Sequence, residues 1–477
     1  MKRYGSTSSR LLSVTKFQAF PWTSCLSERR GCSITKSQLY QCPGEPYPIS
    51  YSVHLGRLSR YYQKCLQCKH RDETGLLSKK TVRSLQRTSL QHIPVPLMHK
   101  TGFRGRYLNE MDRHVTQNLA GGFAMDLVRE NTSDYEAVIV LGHDDRPSAP
   151  DLSLGCAEGL RRVGCKVLNI GPATEACLRY HVRYHEANGG VFVGGGNQRE
   201  HINGLSFFGS NGCPVTEANG LQRIWDRHLE SHTMRRRHWG AVHHFQAVVP
   251  YVASLLRFYH ALRPLRIVME VASPVLRTQI ERVFKETPCI LTWIHSERGL
   301  RSQEVLPTAV KDSLESSRDD AIQSKRVSLR WSQRRETIWN DVAANNADLG
   351  VAIDNEESIF VFDEKGRKLK QDAHVSLLTS TALQRQTSRT VVVPEEFQKI
   401  GAKFFKDKGV AVVSCATDSS EIWTQMKEHS AVFGIGGCGR FWFQDSNPVS
   451  DPLVSLAITL ASLSVTDQPI SEVVGAV

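Results

Sequence analysis

Residues 188–216 read NGGVFVGGGNQREHINGLSFFGSNGCPVT, and the organisation of the chain is read outward from them. Gly189-Gly190 lead into Val191-Phe192-Val193, a short apolar run with the pattern of a buried strand. Three glycines, Gly194 to Gly196, follow at its carboxyl end. Glycine lets the backbone turn sharply there and approach a ligand closely. Asn203-Gly204, the apolar pair Phe207-Phe208 and the turn signal Ser210-Asn211-Gly212 complete the stretch.

Upstream, strands and helices alternate. Ala137–Leu141 and Val167–Ile170 read as strands, Leu152–Val163 and Ala173–Tyr184 as helices. In the first helix Cys156, Leu160 and Val163 share one face at helical spacing. Downstream, Tyr251–Leu262, Glu395–Lys406 and Leu453–Leu463 read as helices, and Arg266–Val271, Thr390–Val393 and Val410–Val413 as strands. The rhythm predicts an α/β protein of consecutive α/β/α domains with mixed, mostly parallel sheets.

The bulk numbers agree with a globular protein. The 477 residues suffice for several domains, and 40% hydrophobic content supplies sizeable cores. No apolar run approaches the ~20 residues of a membrane span. The net charge of +12 is uneven: residues 1–100 carry 17 Lys and Arg against four Asp and Glu, the rest 43 against 44. Basic character therefore belongs to the N-terminal extension, which is where a nucleic acid would be met if anywhere. Twelve scattered cysteines point to a reducing compartment, and a cytoplasmic protein is expected. Residues 1–38 are Ser/Arg-rich and predicted disordered, with no acidic residue before Glu28, so a transit peptide is a second reading.

In residues 39–92, Cys42, His54, Cys65 and Cys68 make a candidate zinc knuckle, since Cys-x-x-Cys presents two thiolates to one tetrahedral Zn²⁺. Incidental cysteines in a basic, aromatic segment are the alternative. Contact of Arg57, Arg60, Lys64, Lys69 and Arg71 with nucleic acid is a third reading, with no recognised motif behind it.

The central stretch resembles the catalytic-loop region of the α-D-phosphohexomutases, the phosphoglucomutase/phosphomannomutase family. Gly189, Gly190, Asn203, Gly204, Phe207, Gly209, Asn211 and Gly212 keep that frame. The family's phosphoryl-carrying serine falls on Gly196, its His-Asn-Pro on Asn197, Gln198 and Arg199, and its lysine on Ser206. Three more segments carry the resemblance in the family's order. Residues 100–105 (KTGFRG) are similar to the opening motif, which makes Arg104 a phosphate-site candidate; a solvated loop arginine is the alternative. Residues 142–148 (GHDDRPS) are similar to a segment that braces the active-site loop. Residues 346–366 are similar to the magnesium loop, in which three alternating Asp hold Mg²⁺. Here Asp354, Glu356 and Glu357 stand in a loop one residue shorter, so either a degenerate Mg²⁺ site or an acidic loop without a specific metal is implied.

Residues 431–441 are similar to the sugar-selecting loop, with Gly436, Cys438 and Arg440 where the family has Glu, Ser and His. Arg440 is a candidate for a phosphate or carboxylate, or for a salt bridge at a domain edge. The resemblance implies phosphohexomutase-like domains at 93–240, 245–368 and 372–477. Near Val477 the chain resembles the family's hinge to a fourth domain, whose phosphate-clamping motif does not occur here.

Phosphoryl transfer through a serine needs a nucleophile, a neutralising metal and a phosphate clamp. The substitutions at each step point to a pseudoenzyme: a carbohydrate-metabolism fold acting as a binding or regulatory module for a sugar phosphate, another small anion or a protein partner. An active or residual intramolecular phosphotransferase is the alternative. A nucleotide-binding α/β protein is a second one, without the Gly-x-Gly-x-x-Gly or Lys-[Ser/Thr] that would support it.

Overall fold

The computed structural model describes residues 98–130, 136–229, 239–294 and 341–475, and parts of 39–85. The chain divides into two compact units, residues 1–91 and 92–477. In the first, strands β1 (Leu39–Tyr40) and β2 (Ile49–Ser50) pair antiparallel and run into helix α1 (Tyr51–Ser59). The Ser50 hydroxyl caps α1 by accepting the Val53 N–H at 3.4 Å. Leu58, Cys65 and Leu85 form a small core.

The described residues of the second unit form three sheets. The first contains β3 (Met98–His99), β4 (Gly102–Arg106), β5 (Val138–His143), β6 (Lys166–Pro172), β7 (Gly189–Val193), β8 (Ile202–Gly209), β9 (Pro214–Val215) and β10 (Val242–His244). Its order is β10-β6-β5-β7-β8-β4-β3, with β9 on β8. From β10 to β7 the pairs are parallel; from β7 onward they are antiparallel. Helices α2 (Arg113–Glu130) and α3 (Ala149–Arg162) pack on one face with α5 (Leu221–Leu229); α4 (Glu175–Tyr184) lies on the other with α6 (Val248–Leu256).

The second sheet runs β12-β11-β13-β14, from β11 (Arg266–Val271), β12 (Ile290–Trp293), β13 (Leu349–Ile353) and β14 (Ile359–Phe362), with helix α7 (Pro274–Phe284). The third runs β16-β15-β17-β18-β19, from β15 (Thr390–Pro394), β16 (Ala411–Cys415), β17 (Phe433–Ile435), β18 (Phe441–Phe443) and β19 (Val449–Ser450). Its helices are α8 (Gln371–Arg385), α9 (Ala402–Asp407), α10 (Ser419–Glu428) and α11 (Pro452–Ser464), with α12 (Ile470–Gly475) following. In all three sheets a parallel part is continued by antiparallel strands, so the sheets are more evenly mixed than the strand–helix rhythm implies. One apolar core joins the three, running from Val140 and Leu178 through Ile267 and Val351 to Val391 and Leu460. Among the described residues no helix is long and apolar enough to cross a membrane.

The expected helix at Glu395–Lys406 is broken. Residues 395–397 form a single turn, and Gly401 at φ 71° starts α9 separately. The helix expected over Tyr251–Leu262 ends at Leu256. The charged segment 311–330 lies outside the described residues.

Helices α2 and α3 approach closely because α3 carries Gly155 and Gly159 on the contact face. A Cβ at Gly159 would run into the Gln117 carbonyl, and one at Gly155 into Thr116 and the Arg113 carbonyl. Thr116 Oγ1 itself crosses the gap, donating to the Leu152 carbonyl at 3.2 Å. Gly159→Ala is therefore expected to destabilise the protein by about 1–3 kcal/mol through overpacking, despite alanine's ~1 kcal/mol better helix propensity. Urea denaturation checks this; a stabilised variant would show that the helices separate at no cost.

Candidate functional site

The loop between β7 and β8 is held from below by the 142–148 segment. The Asp144 carboxylate accepts the Gly195 N–H at 3.1 Å and pairs with the Arg146 guanidinium. Arg146 Nη2 donates to the Gly196 carbonyl at 2.7 Å and the Gln198 carbonyl at 2.9 Å. This explains the glycine at 195, where a Cβ would sit 2.6 Å from the Arg146 guanidinium carbon. Asn203 Nδ2 donates to Ser148 Oγ at 2.9 Å, tying the start of β8 to the same segment.

Arg104 on β4 reaches the neighbouring strand. Its Nη1 donates to the Phe103 and Leu205 carbonyls at 2.9 and 2.8 Å, and its Nη2 to Ser206 Oγ at 2.8 Å. Two of the phosphate-site candidates, Arg104 and Ser206, are thus direct partners. Burial pulls the Arg104 pKa below its ordinary value, with Glu175 and Glu356 acting in the opposite sense.

The acidic loop between β13 and β14 closes over the glycines. Asn197 bridges the two loops: its Nδ2 donates to Asp354 Oδ2 at 2.9 Å, and its Oδ1 accepts the Asn355 N–H at 3.1 Å. Asp354 Oδ1 accepts the N–H groups of Glu356 and Ser358 at 2.9 and 2.8 Å. Burial raises the Asp354 pKa. Gly196 adopts φ +54°, and Glu356 Cγ and Oε1 lie 3.1 and 3.2 Å from where its Cβ would be. Arg440 holds Glu356 from the third sheet, donating from Nε to its carbonyl at 3.1 Å and facing its carboxylate at 3.5 Å. Burial opposes the Arg440 charge, but Glu356, Glu175, Asp354 and Glu357 outweigh it and raise its pKa.

Glu357 leaves the loop altogether. At φ +62° its carboxylate accepts the N–H of Glu175 at 2.6 Å and of Ala176 at 3.2 Å, at the N-terminus of α4. Burial, then the charges of Glu175 and Asp451, push its pKa up to about 8.

Known proteins are similar to this chain in sequence and fold. The family Phosphoglucomutase/phosphomannomutase, alpha/beta/alpha domain I, matches residues 96–233. A "Phosphohexose mutases" protein of Xanthomonas campestris pv. campestris (strain B100) is 22% identical over 354 residues, 74% of this chain and 73% of the relative. A phosphoglucosamine mutase of Gloeothece citriformis is 22% identical over 380 residues, 77% of this chain and 72% of the relative. The crystal structure of a phosphoglucomutase/phosphomannomutase family protein from Burkholderia thailandensis superposes with a TM-score of 0.68 at 17% identity, covering 80% of this chain and 79% of that one. Residues 96–233 carry the phosphoglucomutase/phosphomannomutase domain I, and the chain shares the fold of the phosphohexomutases.

Within this fold the sequence-predicted residues divide by geometry. Gly196, Asn197, Asp354, Glu356 and Arg440 meet at one point; Arg104 and Ser206 pair on the adjoining strands. The reading of Arg440 as an edge salt bridge is the arrangement present, with Glu356 as its partner.

The Mg²⁺ ligand set requires correction. Asp354, Glu356 and Glu357 do not converge, because backbone amides, Arg440 and the α4 N-terminus each claim one carboxylate. These three do not fit an octahedral oxygen cage. Among the described residues no group of three or more His, Cys, Asp or Glu is placed to hold a metal ion.

Among the described residues no zinc knuckle is assembled. Cys42 lies outside the described residues, His54 bonds the Glu73 carbonyl at 3.2 Å and stacks on Tyr40, and Cys65 and Cys68 are buried. Cys438 sits in the Gly437–Gly439 turn.

Two site features escape a sequence reading. The Trp442 ring fills the space that a side chain at Gly436 would need. The Glu357 cap joins residues 182 apart in sequence. For the first, a tryptophan six residues after an added glycine is the one available signal.

Proposed function

We propose that this phosphohexomutase-fold protein is catalytically inactive and serves as a binding or regulatory module for hexose phosphates. The observation that carries the reading is at position 196. A residue without a hydroxyl stands there in a left-handed conformation, with the Glu356 carboxyl group in van der Waals reach. A serine nucleophile needs both a side chain and a free approach to the sugar. The names of the relatives, phosphohexose and phosphoglucosamine mutases, support hexose phosphates as the ligand class.

In this reading a ligand phosphate competes with Glu356 for Arg440. Both side chains are partly exposed, 44% and 32%, and 3.5 Å apart, so the pair is weak and exchangeable. Titration calorimetry with glucose 6-phosphate and glucosamine 6-phosphate tests it. Saturable binding of one of them is expected, weakened about tenfold by Arg440→Ala through loss of a charge-assisted fork. Absence of binding by both sugars, or indifference to Arg440→Ala, would sink the reading.

A further inference from the structure

A strand at the end of a sheet can pair with another chain, and most of the described ones are short. β3 and β19 have two residues, β10 three, and β12 and β14 four. β16, at the end of the third sheet, has five. Its parallel pairing with β15 decides which way its backbone groups point. The Ala411 N–H donates to the Arg389 carbonyl at 2.9 Å, so residues 411, 413 and 415 are the ones that bond β15. The N–H and C=O of Val412 and Ser414 therefore face away from the sheet, and no strand among the described residues pairs with them. Val412 is 47% exposed, and Ala411 and Ser414 are exposed too. Edges are ordinarily blunted by a charge, a proline or a bulge. AVVSC has no charge or proline, and its register with β15 is unbroken.

The two ends of this edge carry opposite charge. At the N-terminal end, exposed Arg389 donates from Nη2 to the Lys408 carbonyl at 2.7 Å, and Lys406 and Lys408 are exposed where α9 leads into β16. Asp407 offsets only one of these cations. At the C-terminal end stand exposed Glu395 and Glu396, with Asp418 and Glu421 at the start of α10. Gln398, just past the turn that holds the two glutamates, donates from Nε2 to Ser414 Oγ at 2.9 Å. Burial, then the charges of Glu421, Glu395 and Asp418, push the Cys415 thiol up to about 12. Lys399 offsets only one of these carboxylates. An edge with one sign at each end is complementary to its own reversed copy.

We propose that β16 is a dimerisation edge, on which a second copy of this chain pairs antiparallel through its own β16, about a two-fold axis at Val413. In this register Val412 of one copy lies opposite Ser414 of the other, and each such pair exchanges both N–H···O=C bonds. The basic end of each strand then meets the acidic end of its copy, and the two third sheets become one continuous sheet across the dimer. A short edge buries little area, so the dimer is weak and concentration-dependent.

Sedimentation velocity of the full chain from about 1 to about 200 μM tests the proposal. A monomer–dimer equilibrium is expected, weakened about tenfold by Val412→Pro, which removes an outward N–H and no bond to β15. Circular dichroism establishes that each variant is folded. A second arm leaves the strand itself untouched. Lys406→Glu/Lys408→Glu makes both ends of the edge acidic and is expected to weaken the dimer severalfold; adding Glu395→Lys/Glu396→Lys restores opposite signs and recovers most of the affinity. A monomer at every concentration, a dimer that either folded variant leaves unchanged, or a charge exchange that recovers nothing would overturn the proposal.

Discussion

Arg146→Ala is expected to lower stability by about 3–5 kcal/mol, the cost of breaking a buried ion pair from one side. Arg146 is 8% exposed and serves three acceptors at once: the Asp144 carboxylate and the Gly196 and Gln198 carbonyls. Its removal leaves the Asp144 carboxylate without its counter-charge and two carbonyls without their donor, and deprives the glycine loop of its floor. Arg146→Lys is not expected to rescue the loss, because one ammonium cannot reproduce a fork that reaches both carbonyls and Asp144. Equilibrium urea denaturation measures it. A loss under about 1 kcal/mol, the range of an exposed pair, would mean that the loop is held by something else.

The second large effect is a dependence on acid. His181 and His374 are buried, and burial pushes both pKa values down to about 4. His181 Nε2 bonds the Ala247 carbonyl at 2.8 Å, and His374 Nε2 contacts Thr459 Oγ1 at 3.2 Å. An unfolded histidine titrates near 6.5, so these two favour protonation in the unfolded chain. Their contribution is full above roughly pH 6.5 and is lost as pH falls towards about 4, up to about 3 kcal/mol for each. The buried carboxylates of Asp354, Glu357 and Asp451 have raised pKa values and act in the opposite sense. The difference between wild type and His374→Gln isolates the histidine. That difference is expected to shrink steadily between pH 6.5 and pH 4; a constant difference would refute the assignment.

Where the residues themselves carry the pattern, the fold is legible. Arg266–Val271 forms a strand with the expected ends, and the residues flanking the acidic loop form β13 and β14. Helix α2 escapes because its buried residues Leu119, Phe123 and Met125 are interspersed with buried Thr116, Gln117, Ala120 and Ala124, so no clean apolar stripe marks it. Strand β8 shows no alternation because it is buried on both faces.

Site composition is legible at Gly196, Asn197 and Asp354, yet the partnerships are not. Asn197 with Asp354, Glu356 with Arg440 and Glu357 with α4 each join different sheets. Such contacts depend on how three sheets pack around one core, and local periodicity says nothing about them.

The proposed loss of phosphoryl transfer is tested most directly by turnover. A coupled assay follows glucose 1-phosphate to glucose 6-phosphate, with Mg²⁺ and the hexose bisphosphate present, for the protein and its Gly196→Ser variant. The account predicts no turnover by either: the protein has no hydroxyl at 196, and in the variant a serine meets both the φ of +54° and Glu356. Turnover by the unmodified protein would contradict the account, and would require a nucleophile other than position 196.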